Sequence, residues 1–174
     1  LAMMKRLNVK PNLIRKRQKN DYLKLMNKEV DAFPSYLSNE PFYFKDKNIG
    51  INIISLSNYG FDFYGDILFT IENEATIHPK SIQKFKEATI KGWNYALENQ
   101  EEIIQLIHTK YNSAKSIEHL RYEAKAIEKL ILKDIIPLGS IDRGRIKYIS
   151  SIYGEYGSNI KSFNVNDFIF EEYV

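Results

Sequence analysis

The densest group of residues that could take part in chemistry is the aromatic and acidic segment at positions 59–66, YGFDFYGD. Its two glycines allow the backbone to bend sharply or to come close to a ligand. In an extended segment alternate side chains point to opposite faces, so Asp62, Tyr64 and Asp66 would share one face. Aromatic walls with a few hydrogen-bond acceptors suit a heteroaromatic ligand that carries an amino group. A buried strand whose tyrosines and aspartates pair with each other is the alternative, and both interpretations remain open at this point.

A second polar group lies at positions 36–41, YLSNEP, between a predicted strand and a predicted helix. Ligands of open α/β sheets bind outside the carboxyl ends of strands, and free N–H groups at a helix start favour acceptors. Asn39 and Glu40 are therefore candidate ligand-binding residues, and Tyr36 and Tyr59 are candidate aromatic walls. A plain helix cap is the alternative, because Ser, Asn and Pro are common where helices begin.

Acid–base and metal chemistry have weaker support in the sequence. Asp62 with Asp66, or Glu40 with either, could form an acid–base pair, but the same carboxylates could accept hydrogen bonds from a ligand. The absence of cysteine excludes a disulfide framework, a thiolate zinc site and a cysteine nucleophile. No metal and no cofactor are predicted. The three histidines are scattered and are predicted to be surface or cap residues: His78, His108 and His119.

The composition is that of an ordinary globular chain, with 44% hydrophobic and 27% charged residues. A net charge of only +3 gives no electrostatic argument for a nucleic-acid partner. The basic run at 15–19 is predicted to be a solvated edge or loop, since no nucleic-acid-binding motif accompanies it. No apolar run approaches the ~20 residues that cross a bilayer. The chain opens with LAMM at positions 1–4, which is typical of the middle of an amphipathic helix. We therefore expect it to be part of a longer protein, with membrane attachment only through its other parts.

The pattern of apolar residues changes near Thr70. Before it, short predicted helices at 2–7, 21–26 and from Pro41 alternate with short predicted strands, which are 13–14, 30–37, 51–56 and 66–70. After it, apolar residues recur at helical spacing in four segments. Those helices begin at Pro79, after Asn99, near Ile117 and near Asp142, and the last is predicted to end at Gly157. The apolar stripes of these helices predict burial of Ile82, Phe85, Trp93, Ile103, Ile107, Leu120, Ile127 and Ile149.

Strands with helical crossovers favour an α/β fold with a helix-rich C-terminal half. Three segments strengthen this view by resemblance: VDAFPSYLSNEP at 30–41, NYGFDFYGDILFT at 58–70, and the helical stretch from HPKSIQKF to EEIIQLI at 78–107. Together they resemble the family that binds thiamine-precursor pyrimidines. This family includes binding proteins of ABC importers and the fungal pyrimidine synthases. The stretches at 111–131 and 136–157 are also similar to a bacterial branch in which the domain is often the extracytoplasmic sensor of a diguanylate cyclase or histidine kinase.

The sequence departs from this family in three places. The family domain normally begins well before Leu1, with the opening strands and helices of its first lobe. The fungal enzymes use a cysteine-rich motif and a histidine, and this chain has no cysteine. A smaller departure lies at 143–146, RGRI, where related sequences tend to carry an aromatic residue after the arginine.

The resemblance implies a type II periplasmic-binding-protein-like, two-lobed fold that lacks the N-terminal part of lobe one. Residues 1–174 would be the C-terminal two-thirds of one substrate-binding domain. About 1–58 would form most of lobe two, 59–70 the hinge crossover, and 71–174 the C-terminal part of lobe one. Because the opening strands are missing, we expect the isolated chain to self-associate through apolar surface that they would cover.

The function implied by the resemblance is that of an extracytoplasmic or periplasmic, non-enzymatic domain. It would bind a small pyrimidine-like molecule and act as the ligand sensor of a signalling protein. A soluble binding protein of an ABC importer is the first alternative, and a pyrimidine-forming enzyme, disfavoured by the missing cysteines, is the second. The predicted ligand-binding residues are Tyr36, Asn39, Glu40, Tyr59, Asp62, Tyr64 and Asp66.

Overall fold

The computed structural model describes residues 2–10, 12, 22–157 and 164–170, and every regular element in these ranges is helical. The α-helices are α1 (Ala2–Arg6), α2 (Tyr22–Met26), α3 (Pro41–Asp46), α4 (Glu72–Ile77), α5 (Pro79–Glu98), α6 (Gln100–Leu106), α7 (Ile117–Ile131), α8 (Arg143–Tyr156) and α9 (Val165–Phe168). A 3₁₀ turn spans Leu56–Tyr59, and a π-helical turn, Ile107–Tyr111, follows α6. None of the helices in the described ranges has the length and apolar character needed to span a lipid bilayer.

The chain folds into two compact units, each built from separate stretches of sequence. The first unit contains Leu1–Leu13, Ile53–Thr89 and Gly139–Val174. The second unit contains Ile14–Asn52 and Ile90–Leu138. The division therefore falls within α5.

The first unit is organised by α8, which packs against α1 and α9. Asp142 caps α8, because its Oδ1 accepts a hydrogen bond from the Arg145 backbone N–H at 2.6 Å. At the C-terminal end of α8, Lys5 Nζ donates to the Tyr156 carbonyl at 3.0 Å. A cation at this end of a helix also complements the helix dipole. The buried apolar side chains are Phe61, Ile146, Ile152 and Val165.

The second unit is organised by α6 and α7, which pack against each other. Ser116 caps α7, with its hydroxyl oxygen accepting from the His119 backbone N–H at 3.2 Å. An exposed ion pair between Arg121 of α7 and Glu101 of α6, at 2.5 Å, also joins the two helices. The buried side chains of this unit include one histidine and are Pro41, Phe44, Leu97, Ile104, His119 and Leu120.

The helices predicted for the second half are confirmed. α5 begins at Pro79 and ends before Asn99, and α8 begins after Asp142 and ends before Gly157. One detail differs: Gly157 is extended, with φ −84° and ψ −177°, rather than left-handed. Its N–H nevertheless donates to the Tyr153 carbonyl at 2.8 Å, which closes the last turn.

The predicted burial is confirmed for Leu120 but wrong for two aromatic residues of α5. Phe85 is 62% exposed and Trp93 is 43% exposed. The other side chains on these stripes are partly buried: Ile82, Ile103, Ile107, Ile127 and Ile149. Periodicity identifies which side of a helix is apolar, but burial also requires a neighbouring element against that side.

The predicted α/β fold of the type II periplasmic-binding-protein-like, two-lobed kind is wrong, because no residue in the described ranges belongs to a β-strand. The runs at 30–37 and 66–70 are irregular, and the run at 51–56 leads into the 3₁₀ turn. That turn ends at Gly60 with φ 79°, a left-handed conformation that favours glycine. A strand exists only when its N–H and C=O groups pair with another strand, whereas a helix satisfies them locally.

Two of the sequence predictions lie outside the described residues: the short strand at 13–14 and the basic run at 15–19. The lobe and hinge boundaries at 1–58, 59–70 and 71–174 stay a prediction.

Candidate functional site

In the second unit, a polar turn at 36–40 leads directly into α3. Pro41 occupies the first turn of α3, as predicted, and Glu40 precedes it. The Glu40 side chain makes no cap hydrogen bond. Its Oε2 accepts instead from the Tyr36 backbone N–H at 2.8 Å, which closes the turn. The plain-cap interpretation therefore does not describe Glu40.

Lys115, just before α7, and Tyr122, within it, hold this turn. Lys115 Nζ donates to Asn39 Oδ1 at 3.0 Å and to Glu123 Oε1 at 2.5 Å. The Tyr122 hydroxyl donates to the Leu37 carbonyl at 3.1 Å. Lys115 and Glu123 are both partly buried, with 23% and 19% of their side chains exposed. Water screens such a partly buried ion pair less than an exposed pair. Glu123 therefore holds the Lys115 ammonium, and the ammonium in turn holds the Asn39 side chain.

A set of stacked rings lies beside the turn. Phe42 stacks on the His119 imidazole with centroids 4.3 Å apart and planes 12° apart. Tyr43 meets the same imidazole edge-on at 4.9 Å, and Tyr22 stacks on Tyr43 at 4.1 Å. Phe44, on the next position of α3, is only 2% exposed and anchors the helix.

The surroundings of His119 favour a neutral imidazole. The side chain is 2% exposed, and its Nε2 has no hydrogen-bond partner among the described residues. Burial lowers the pKa of His119, and the positive charge of Lys115 lowers it further. Glu123, Glu40 and a hydrogen bond with the Asn39 backbone act in the opposite direction.

The Tyr43 phenol responds to the same surroundings. Burial raises its pKa, and the nearby acidic groups of Tyr22, Glu123 and Glu40 raise it further. The phenol therefore stays protonated and can donate a hydrogen bond.

The first unit holds a different polar group, built around Arg145 of α8. Its guanidinium forms an ion pair with the Asp62 carboxylate and lies over the Tyr64 ring, 4.8 Å from the centroid. The Tyr64 hydroxyl accepts from the Asp142 backbone N–H at 2.8 Å. The hydrogen bond to Asp62 raises the pKa of Arg145. Asp62 and Tyr64 therefore already have partners within the chain.

The apolar side of the 59–66 segment faces the core of the same unit. Phe61 is buried, and Phe63 stacks on Tyr153 with centroids 5.7 Å apart. Arg6 lies over the Phe61 ring at 5.7 Å. The Tyr148 hydroxyl donates to the Gly60 carbonyl, which ties the turn to α8. The segment thus has one buried aromatic side and one polar side without being a strand.

The structure divides the seven predicted ligand-binding residues between the two units. In the second unit it brings together Asn39, Glu40 and the backbone of Tyr36, whose ring is 69% exposed. In the first unit it brings together Asp62 and Tyr64 through Arg145. Tyr59 and Asp66 are exposed in that unit. Whether the seven residues bind a ligand stays a prediction.

Three residues beside these groups were missed by sequence reasoning: Lys115, His119 and Arg145. The prediction that His119 is a surface or cap residue is wrong, because it is one of the most buried side chains described. The i, i+4 spacing of His119 and Glu123 on α7 was the available signal, since such residues share a helix face, whereas Lys115 lies just before the helix. Within the described ranges, no cluster of three or more histidine or acidic side chains is placed to hold a metal ion.

Comparison with known families gives one clear result. A family model described as "NMT1/THI5 like" matches residues 1–103, more than half of the chain. The chain belongs to the NMT1/THI5-like family. This confirms the resemblance to proteins that bind thiamine-precursor pyrimidines. No curated protein and no solved structure matches the chain.

Membership of the NMT1/THI5-like family indicates a substrate-binding function of the periplasmic-binding kind. Members of the family are mainly substrate-binding domains and are typically extracytoplasmic. The match includes the turn at 36–40 and the 59–66 segment. It ends before Lys115, His119 and Glu123, so the residues that hold Asn39 lie in the part of the chain beyond the match.

Proposed function

We propose that this chain is part of an extracytoplasmic, non-enzymatic domain that binds a small amino-substituted pyrimidine of the thiamine-precursor kind. The observation that supports the ligand class is that Asn39 and Glu40 are consecutive residues next to the stacked rings of Phe42 and His119. The chain that carries them belongs to the NMT1/THI5-like family. An aminopyrimidine carries ring nitrogens that accept hydrogen bonds and an exocyclic amine that donates them. An amide and a carboxylate next to aromatic rings supply the complementary groups.

The role of each predicted residue follows from its chemistry. Glu40 would accept from the exocyclic amine through oxygen lone pairs that the Tyr36 N–H does not occupy. Asn39 would contact a ring nitrogen, and Tyr36 would cover the ring. The other four predicted residues, Tyr59, Asp62, Tyr64 and Asp66, lie in the first unit, where Asp62 is paired with Arg145. Their part in ligand binding stays a separate prediction.

A sensor role within a signalling protein is our preferred setting for this binding activity. It rests on the similarity of the stretches at 111–131 and 136–157 to a branch in which such domains precede signalling enzymes. A soluble component of an ABC importer is the second candidate. The full-length coding sequence separates them, because a sensor continues into a transmembrane segment and an output domain.

The ligand assignment is tested by calorimetry on the full-length protein with the hydroxymethyl aminopyrimidine of thiamine. Glu40→Gln preserves the shape of the side chain but removes its charge. We expect this variant to bind about ten- to a hundred-fold more weakly, because a hydrogen bond to a charged group contributes roughly 1.5–3 kcal/mol. Glu98→Gln, on the exposed surface of α5, is the matched control and should bind like the wild type.

Two results would contradict this assignment. Unchanged affinity in Glu40→Gln would remove Glu40 from the site. A lower melting temperature without any change in affinity would mean that Glu40 only closes the turn at 36–40.

Turnover of the pyrimidine by the wild-type protein would favour the enzymatic alternative.

A further inference from the structure

The contact between Lys115 and Asn39 determines which end of the Asn39 amide is available. An ammonium group has only hydrogen-bond donors, so the atom that faces it must be the amide oxygen. That oxygen lies 3.0 Å from Lys115 Nζ. The amide nitrogen Nδ2 is thus the end that can meet a ligand, and it can only donate.

Glu40 has the opposite polarity. Its Oε2 is engaged by the Tyr36 backbone N–H at 2.8 Å, and the remaining lone pairs of the carboxylate can only accept. Consecutive residues therefore offer one donor and one acceptor. The order is fixed by contacts within the second unit, without any rearrangement of the turn.

We propose that Lys115 is a positioning residue that sets the polarity of Asn39 and thereby makes the site select an aminopyrimidine over its oxo counterpart. This inference rests on the proposed function. In the amino compound, a ring acceptor lies beside an exocyclic donor. In the oxo compound, a ring N–H lies beside an exocyclic carbonyl, so both positions are reversed.

The two compounds have nearly the same shape, and therefore shape alone cannot separate them. The oxo compound would place its ring N–H against the N–H groups of the Asn39 amide, so that two donors meet. It would also place its carbonyl against the Glu40 carboxylate, so that two acceptors meet. Turning the ring over would restore the pairing but would misplace the methyl and hydroxymethyl substituents. A site built to hydrogen-bond one pattern rejects the reversed pattern because polar groups are left unpaired on both sides.

Glu123 supports this arrangement by holding the Lys115 ammonium in place at 2.5 Å. Lys115 and Glu123 both lie beyond the region that matches the family. The selectivity would then depend on both parts of the chain, with Asn39 and Glu40 in the matched region and Lys115 and Glu123 beyond it.

The experiment measures the ratio of the two affinities in the full-length protein by calorimetry. We expect the wild type to favour the amino compound by at least about ten-fold. In Lys115→Met the Asn39 amide is no longer held and can present either end, so the ratio of the two affinities should fall by about three-fold or more, while the Glu40 carboxylate maintains the remaining preference. Lys115→Arg, which still donates to Asn39 and pairs with Glu123, should restore part of the preference.

Lys125→Met is the matched control, because Lys125 is an exposed lysine of α7, the helix that follows Lys115, and it should keep the wild-type ratio. If Lys115→Met fails to fold, Asn39→Asp provides the same test. It keeps an acceptor for Lys115 but replaces the donor end with a second oxygen, so the preference for the amino compound should also collapse.

The outcomes separate this inference from the function on which it rests. If the wild type binds the amino compound but shows no preference, or if Lys115→Met keeps the full preference, then Lys115 does not set the selectivity and the proposed function stands. If the wild type binds neither compound, both the function and the inference are wrong.

Discussion

His119 is the residue whose position differs most from what its sequence context suggested. It lies between Phe42 and Tyr43 with its imidazole almost entirely removed from water, and it is held close to a lysine. A protonated imidazole would be poorly solvated there, so the second unit should be most stable when His119 is neutral.

This burial predicts a dependence of stability on pH. The folded-state pKa of His119 lies below its ordinary value of about 6.5, so the unfolded chain binds the proton more tightly. The stability from the neutral imidazole is therefore present above about pH 6.5 and lost as the pH falls towards the folded-state pKa. Lys115 strengthens this effect, while Glu40 and Glu123 oppose it.

Urea denaturation at pH 7 and pH 5 measures the effect. The wild type should lose stability at pH 5, and His119→Phe, which cannot be protonated, should lose distinctly less. His78→Gln is the control, because His78 is exposed and should not alter the difference. Equal losses in the wild type and in His119→Phe would assign the pH dependence to other groups.

The short helix α3 and the long helix α5 show that the length of an element does not measure its importance for stability. α3 has six residues, yet its Phe44 is 2% exposed. α5 has twenty residues, yet its Trp93 is 43% exposed. Removing a buried ring costs the free energy gained by transferring the ring from water and leaves a cavity. Removing a half-exposed ring lowers the free energy of unfolding much less.

We therefore expect Phe44→Ala to lower the free energy of unfolding by about 3–5 kcal/mol and Trp93→Ala by about 1 kcal/mol. Chemical denaturation midpoints of the two variants, compared with the wild type, provide the measurement. If Trp93→Ala proves as costly as Phe44→Ala, Trp93 is buried in solution by a contact that the structure does not contain.

The elements that the sequence predicted well are those whose signals are local. Pro79 at the start of α5 and Asp142 at the start of α8 satisfy or remove free N–H groups within a few residues of themselves. The strands failed because pairing depends on a distant partner, which no pattern in residues 30–37 or 66–70 identifies.

In the candidate site, too, the residues with local signals could be predicted and their distant partners could not. Asn39 and Glu40 could be proposed from the turn that contains them, and the structure joins them to residues nearby. The partners Lys115 and Arg145 could not, because each lies more than seventy residues along the chain from the residue that it holds. Such contacts arise from folding of the whole unit.

At the scale of the whole molecule, many large apolar side chains of the described residues are exposed to solvent. The exposed run at 67–71 is the clearest case, since its side chains carry no charge and Phe69 is 83% exposed. None of these residues belongs to a strand. An exposed apolar segment whose backbone pairs with no strand can pair with another chain.

We propose that the isolated chain self-associates through this run. Light scattering over a range of concentrations should show dimers or larger species for the wild type and a shift towards monomer for Phe69→Lys. Tyr111→Lys, at an equally exposed position of the second unit, should not change the association. A monomer at every concentration in the wild type would contradict the proposal.

The central claim is that this NMT1/THI5-like chain binds an aminopyrimidine, and calorimetric titration of the wild-type full-length protein with that compound tests it most directly. We predict a saturable heat that fits one site. A matched benzene derivative that carries the hydroxymethyl group but lacks the ring nitrogens and the amine should give no such heat. Equal binding of both compounds, or no heat with the aminopyrimidine at any concentration within its solubility, would contradict the claim.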